Sequence, residues 1–188
     1  MYESQPDYDP LFPETEIKFA GFGSRFGATM IDSFIILIIS MPLTYYNVIS
    51  WKSPYLFILI SVVDIIYKPV LEYRYGATFG KMALGLKVVG RNFEKVTLKE
   101  ELRRVSFYII PTILFQIMTL RFYFSPELHT ISNFNNYNQF VIYSNPGILW
   151  VNGIVLILGA ADFFTFFSNT QRQSLHDIYA CTYVIDLR

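Results

Sequence analysis

The chain has 188 residues, of which 53% are hydrophobic and only 16% are charged, and its formal net charge is zero. An ordinary soluble domain carries roughly 25% charged residues, so this composition favours a small integral membrane protein. The balanced charge gives no electrostatic footprint for nucleic-acid binding, and a single cysteine excludes an internal disulfide and a multi-cysteine metal site.

An acidic segment precedes the first apolar run. The stretch MYESQPDYDPLFPETEIKF contains five acidic residues and three prolines, whereas a secretory signal peptide has a basic start followed promptly by an apolar stretch. We therefore expect residues 1–22 to form a mobile cytoplasmic tail without a signal peptide. Residues 23–188 are expected to form one membrane domain, whose first apolar run directs insertion.

Four apolar stretches approach the roughly 20 residues that a membrane-spanning helix requires. They cover residues 26–46, 54–73, 105–124 and 147–167. These stretches are apolar around most of the helix circumference, which argues against the alternative of a soluble helical bundle. The predicted fold class is therefore all-α membrane, with four transmembrane helices.

The basic residues predict the orientation of the chain. The connection 74–104 contains eight lysines and arginines, whereas the connections 47–53 and 121–146 contain one each. By the positive-inside rule, the connection 74–104 is cytoplasmic, which places both termini on the cytoplasmic side of the membrane. Its basic side chains are also candidates for contact with anionic lipid head groups.

A small cytoplasmic layer is predicted beside the spans. LGLKVV and EKVTL flank the turn-like GRN and have the pattern of short strands. The C-terminal segment 168–188 contains the β-rich YACTYVIDL, a candidate partner for LKVV. Thr97 and Glu100 have the spacing of a capping box, which predicts a helix that begins at LKEELRR and continues into the third span.

Ionisable residues within the spans are the candidate functional groups, because each costs roughly 2.5–3.5 kcal/mol at a helix centre. Asp64, Lys68 and Glu72 follow at steps of four, so they share one helix face on which Lys68 can pair with either acid. Arg25 and Asp32 lie two turns apart, about 10 Å along the axis. Each is therefore expected to meet a partner on another element, and the first candidates are Glu72, Asp162 and Asp177.

Two interpretations of these charges remain open. In the first, they form a polar seam that fixes helix register and holds the cytoplasmic layer against the spans. The residues of this charged structural layer are Arg25, Asp32, Lys68, Glu72, Arg172 and Asp177. In the second, carboxylates form a cation or proton pathway, and the candidates are Asp32, Asp64 and Asp162, of which Asp64 is the deepest.

Two motifs suggest enzyme chemistry without meeting its requirements. In GATFGKM, three rather than four residues separate Gly76 from the Gly-Lys pair, and no Ser or Thr follows, so this is not a phosphate-binding loop. SLHD places the residue types of a hydrolase triad at adjacent positions, where they cannot form the relay geometry. We expect no enzymatic activity, no cofactor and no metal site.

Three stretches in order resemble the RDD family of small bacterial membrane proteins. They are GSRFGATMIDSFII, LEYRYGATFGKMALGLKVV and RQSLHDIYACTYVI, which together lie within residues 23–185. The resemblance implies that Arg25, Asp32 and Asp177 are the Arg, Asp and Asp that give the family its name. The chain departs from the family pattern at Phe79, where many relatives have proline, and at Tyr179–Cys181, where relatives favour leucine, alanine and glycine.

The resemblance implies fold and topology more firmly than activity, because most family members have no assigned function and some are proposed to be sodium/proton antiporters. Our first hypothesis is a four-span protein that transports small cations and protons or supports their exchange, with a homodimer or another subunit completing the path. The second is a non-transporting scaffold or accessory factor that binds anionic lipid or a partner protein.

Overall fold

The computed structural model describes residues 17–188, and four long helices dominate it. The helices are α1 (Phe22–Tyr46), α2 (Pro54–Tyr75), α3 (Phe79–Ala83), α4 (Leu98–Leu120), α5 (Phe134–Ser144), α6 (Gly147–Ser168) and α7 (Leu175–Ala180). Of these, α1, α2, α4 and α6 are long and apolar enough to cross a membrane. The predicted fold class, with four spanning helices, is confirmed.

Local sequence signals define the ends of the helices. The Ser53 side chain accepts the N–H of Leu56 at the start of α2, and the helix ends at Gly76, whose φ of 74° is in the left-handed region. The predicted capping box at Thr97 and Glu100 is present at the start of α4. The helix that begins there continues without a break into the third span, as expected.

Two short strands cover one end of the helices. β1 (Leu86–Val89) pairs with β2 (Tyr183–Asp186) in an antiparallel register that matches Leu86 with Asp186. The predicted pairing of LKVV with the C-terminal segment is therefore confirmed. We call the end of the bundle that carries α3, α7 and the two strands the polar end.

One local expectation at the polar end is wrong. EKVTL forms no strand; Gly90 N–H instead donates to the Glu94 carbonyl at 2.9 Å, which closes a tight turn before α4. Of the predicted mobile tail, residues 1–16 lie outside the described residues. Lys18 and Ala20 hydrogen-bond along the second edge of β2, at 2.8 Å to Asp186 N–H and 2.9 Å to the Val184 carbonyl. An unpaired strand edge is thereby covered.

The connection 121–146 forms a hydrophobic cluster at the end of the bundle opposite the polar end. It forms two 3-10 helical turns and α5, and its core packs around Val48, Leu128 and Ile148. The Lys52 ammonium donates to the carbonyls of His129 and Ile131 at 3.0 and 3.1 Å, which ties the connection to the end of the first span.

Candidate functional site

A continuous chain of ion pairs crosses the polar end of the bundle. Arg25 Nη1 on α1 lies 2.5 Å from Asp177 Oδ2 on α7, and Arg104 Nε on α4 lies 3.0 Å from Asp177 Oδ1. Arg104 Nη1 lies 2.6 Å from Glu72 Oε2 on α2, and Lys81 Nζ on α3 lies 2.7 Å from Glu72 Oε1. We call these five residues the charged layer, and it joins five helices.

The charged layer is shielded from solvent. Glu72 and Asp177 are fully buried, and Arg104 is only 2% exposed. Burying an unpaired charge costs several kcal/mol, so this layer depends on its hydrogen-bond geometry. The Arg104 guanidinium meets that need because two of its nitrogens point to different carboxylates.

Neighbouring charges and burial determine the pKa values of Asp177 and Lys81, the residues of the charged layer that lie outside the spanning helices. Burial raises the pKa of Asp177, but the positive charges of Arg104, His176 and Arg25 outweigh it and hold that pKa well below its usual range. Burial, together with the charge of Arg104, lowers the pKa of the Lys81 ammonium to about 8 against the opposing effect of Glu72. The layer therefore keeps Asp177 ionised at neutral pH.

Asp32 forms a separate anchor beside the charged layer. Its Oδ1 accepts the Tyr67 hydroxyl at 2.8 Å and the Gly80 N–H at 2.7 Å, and its Oδ2 accepts the Thr78 hydroxyl at 2.5 Å. All three donors are neutral, and Asp32 has no ion pair within residues 17–188. The expected placement of Asp32 in one layer with Arg25 and Asp177 is therefore corrected: it attaches α3 to α1.

The GATFGK motif is explained by this anchor rather than by phosphate binding. Gly76 ends α2, and Thr78 both caps α3, by accepting the Lys81 N–H, and donates to Asp32. Gly80 passes so close to α1 that a Cβ there would overlap the carbonyl oxygen of Ala28 and touch the Asp32 carboxylate. Gly76, Thr78 and Gly80 of the motif thus each help to position α3.

Asp162 joins the charged layer through a histidine. His176 Nδ1 lies 2.7 Å from Asp162 Oδ2, the His176 N–H donates to Asp162 Oδ1 at 3.2 Å, and His176 Nε2 lies 3.4 Å from Asp177 Oδ1. These contacts tie the end of α6 to the start of α7.

Lys68 and Arg172 are placed differently from expectation. The Lys68 ammonium pairs with neither Asp64 nor Glu72; it lies 4.8 Å from the centroid of the Tyr108 ring on α4. Arg172 is exposed and has no ion pair within residues 17–188. It lies in the turn after α6 with a left-handed φ of 51°. Neither residue belongs to the charged layer.

Four residues in or beside the charged layer were not predicted as candidates from the sequence: Lys81, Glu101, Arg104 and His176. Glu101 is fully buried, and neither of its carboxylate oxygens has a hydrogen-bond partner in the described part of the chain. Glu101, Arg104, Val105 and Tyr108 recur at the spacing of one helix face. That periodicity was a signal that α4 directs charged residues inward.

A cavity of about 600 Å³ extends from the charged layer into the bundle. Its polar lining includes Asp32, Lys68 and Asp162, together with Asp64, which lies two turns along α2 from Glu72 of the charged layer. The Ser40 hydroxyl donates to one Asp64 oxygen at 2.6 Å, and no ion pair to Asp64 occurs within residues 17–188. A smaller cavity of about 380 Å³ toward the opposite end is also lined by Ser40. The hydrogen bond between Ser40 and Asp64 therefore links the two cavities.

The charges in this site do not form a metal centre. The described residues contain no group of three or more His, Cys, Asp or Glu side chains that could hold a metal ion. What the arrangement provides chemically is a cavity of about 600 Å³ beside membrane-embedded carboxylates.

Replacing Gly80 with alanine should destabilise the protein strongly. The added Cβ would overlap the Ala28 backbone, and overpacking of this kind costs typically 1–3 kcal/mol or more. Gly153→Ala is the matched control, because a Cβ there meets nothing within 4 Å. Thermal unfolding in detergent should show a lower Tm for Gly80→Ala only; equal Tm values would contradict the close approach of α3 and α1.

The contribution of Asp177 to stability should depend on pH. Its pKa is lower in the folded protein than its ordinary value of 3.8, so its stabilising effect is present above about pH 4 and is lost as the pH falls through the folded pKa. Asp177→Asn should lower the Tm at pH 7, and the difference from wild type should shrink below pH 4.

The exposed Glu94 provides the control for that titration. Glu94→Gln removes a carboxylate at the same end without touching the charged layer, so its Tm should follow wild type throughout the pH range. A difference between Asp177→Asn and wild type that stays constant down to pH 3 would show that ionisation of Asp177 does not stabilise the fold.

Comparison with known proteins identifies the family of the chain. The model of the RDD family matches residues 19–181, which covers most of the chain and includes Arg25, Asp32 and Asp177. Neither a curated protein nor a solved structure matches the chain. With four apolar helices of spanning length and this match, the chain is a multi-pass membrane protein and belongs to the RDD family.

Proposed function

We propose that this protein binds a small cation or proton at Asp64 and exchanges it across the membrane. The observation that carries the proposal is the position of Asp64, which lines the larger cavity and hydrogen-bonds to a residue that lines the smaller one. A membrane-embedded carboxylate without a cationic partner is costly unless it binds a cation or a proton.

The roles of the other carboxylates follow from their partners. Glu72 and Asp177 are occupied by arginine and lysine in the charged layer, so their role in this proposal is structural. Asp32 accepts three hydrogen bonds and would hold the cavity wall in place. Asp162, which is paired with His176 near the polar end, would be the candidate group at the entrance.

The proposal also includes an orientation and an assembly. The excess of basic residues in the connection 74–104 supports a cytoplasmic polar end in the bacterial inner membrane, with both termini on that side. Four helices form a thin wall around a cavity of this size. The wall is open at Gly159 in the cavity lining, because a Cβ added there meets nothing within 4 Å. A homodimer or a second subunit would close that side. The proposal involves no enzymatic step and no nucleic acid.

A second candidate function is a scaffold or accessory factor that binds anionic lipid or a partner protein. Five basic residues of the connection 74–104 and of the first turns of α4 are exposed at the polar end: Arg74, Arg91, Lys95, Lys99 and Arg103. Each basic side chain near an anionic membrane surface contributes about 1 kcal/mol. This candidate needs no passage through the bundle.

Cation-dependent proton flux in proteoliposomes tests the first proposal. Wild type should acidify or alkalinise the lumen when a Na⁺ gradient is applied, and Asp64→Asn should reduce the flux at least about tenfold because it removes the ionisable group. Asp186→Asn is the matched control: Asp186 lies in β2, pairs with Arg188 and lines neither cavity.

The outcomes separate the two functions. Folded wild type without flux would overturn exchange and leave the scaffold as the supported function. Flux that persists in Asp64→Asn would overturn the assignment of that residue. Loss of flux in Asp32→Asn together with a lower Tm would assign Asp32 to the architecture of the cavity.

A further inference from the structure

The large cavity is lined by two side chains of opposite charge, on one face of α2, that form no ion pair within residues 17–188. They are Asp64 and Lys68. One Asp64 oxygen accepts the Ser40 hydroxyl, and the other has no hydrogen bond among the described residues. The Lys68 ammonium lies 4.8 Å from the centroid of the Tyr108 ring.

The other charged groups of the cavity lining all have at least one ionic or hydrogen-bonded partner. Arg25, Lys81, Arg104 and Glu72 belong to the charged layer, and Asp162 pairs with His176. Asp32 has no ion pair among the described residues, but three donors occupy its oxygens. Arg25 keeps two nitrogens, Nε and Nη2, without a hydrogen-bond partner in the described part of the chain, although its Nη1 is paired with Asp177. The carboxylate of Asp64 and the ammonium of Lys68 are therefore the charged groups of the lining that a ligand can pair with while the charged layer stays intact.

The size of the cavity exceeds what an inorganic ion needs. A volume of about 600 Å³ lies within the range of about 300–1,000 Å³ that is usual for small organic ligands. Phenylalanine side chains of α1 and α6 line it, among them Phe22 and Phe163, whose rings meet edge to face at a centroid distance of 5.5 Å. These rings suit an apolar ligand body.

From these observations we infer that the cavity binds a short organic zwitterion of the amino-acid type, with an apolar body. Its ammonium meets Asp64, its carboxylate meets Lys68, and its body lies against the phenylalanines. The two side chains are four residues apart, about 6 Å along the helix axis. Residues four apart project from the same helix face, so one ligand can reach both charged groups.

A zwitterion suits the electrostatics of this site better than a singly charged ligand. It neutralises both side chains at once and brings no net charge into the membrane. A simple cation would occupy Asp64 alone, and a simple anion would occupy Lys68 alone. Binding of such a ligand rests on the cavity of the proposed function but does not require flux, so the two can fail separately.

Isothermal titration calorimetry on the full chain in lipid nanodiscs tests the site with three probes that share one apolar body. L-Phenylalanine carries both charges, phenethylamine lacks the carboxylate, and 3-phenylpropionate lacks the ammonium; empty nanodiscs correct for partition into lipid. Phenylalanine should bind at least about tenfold more tightly than either analogue, since each charged hydrogen bond contributes about that factor.

Two substitutions assign the charges. Lys68→Met should reduce phenylalanine affinity to that of phenethylamine and leave phenethylamine binding unchanged. Asp64→Asn should reduce phenylalanine affinity to that of 3-phenylpropionate. Lys99→Met, on the exposed face of α4, is the control and should change none of the three affinities.

Equal affinity for the three probes, or no binding to folded wild type, would overturn the zwitterion site even if neither variant folds. Phenylalanine preference that survives both substitutions would also overturn it, because the ligand would then be held elsewhere. Cation flux without phenylalanine preference would retain the proposed function and exclude the zwitterion. Phenylalanine preference without cation flux would do the reverse.

Discussion

The buried guanidinium of Arg104 is the contact on which the polar end depends. It is 2% exposed and bridges Glu72 on α2 to Asp177 on α7. Both carboxylates are fully buried, so each would otherwise carry an uncompensated charge in a low-dielectric region. Arg25 and Lys81 extend the same arrangement to α1 and α3. The charged layer therefore fixes the relative positions of five helices at the polar end of the bundle.

The division between occupied and available charges defines the site. Charges in the layer meet each other at 2.5–3.0 Å. One helical turn further into the bundle, Lys68 and then Asp64 have no ion pair within residues 17–188. A layer of paired charges beside a cavity with unpaired groups is the arrangement expected where a scaffold positions a binding site.

Local patterns predicted much of the fold, because spans, helix caps and strand pairs leave their signals in neighbouring residues. The capping box at Thr97 is an example, and so is the match of LKVV with the C-terminal strand. The Lys68 prediction failed because spacing of four shows which side chains can meet on an isolated helix and cannot include Tyr108 on α4. The bridging role of Arg104 was also missed, since its partners lie 32 and 73 residues away in the sequence.

Asp32 shows how the layer and the cavity are coupled. It holds Gly80 and Thr78, while the next residue of α3, Lys81, pairs with Glu72. The short helix α3 thus connects the cavity wall on α1 to the charged layer on α2. Because Asp32 binds through neutral donors, its attachment does not depend on the charge of another side chain. A movement of α1 relative to α2 must therefore break the hydrogen bond from Tyr67 on α2 to Asp32, and it must either carry α3 along or break the two bonds from Thr78 and Gly80. Any conformational change that opens the cavity at the polar end has to satisfy this constraint.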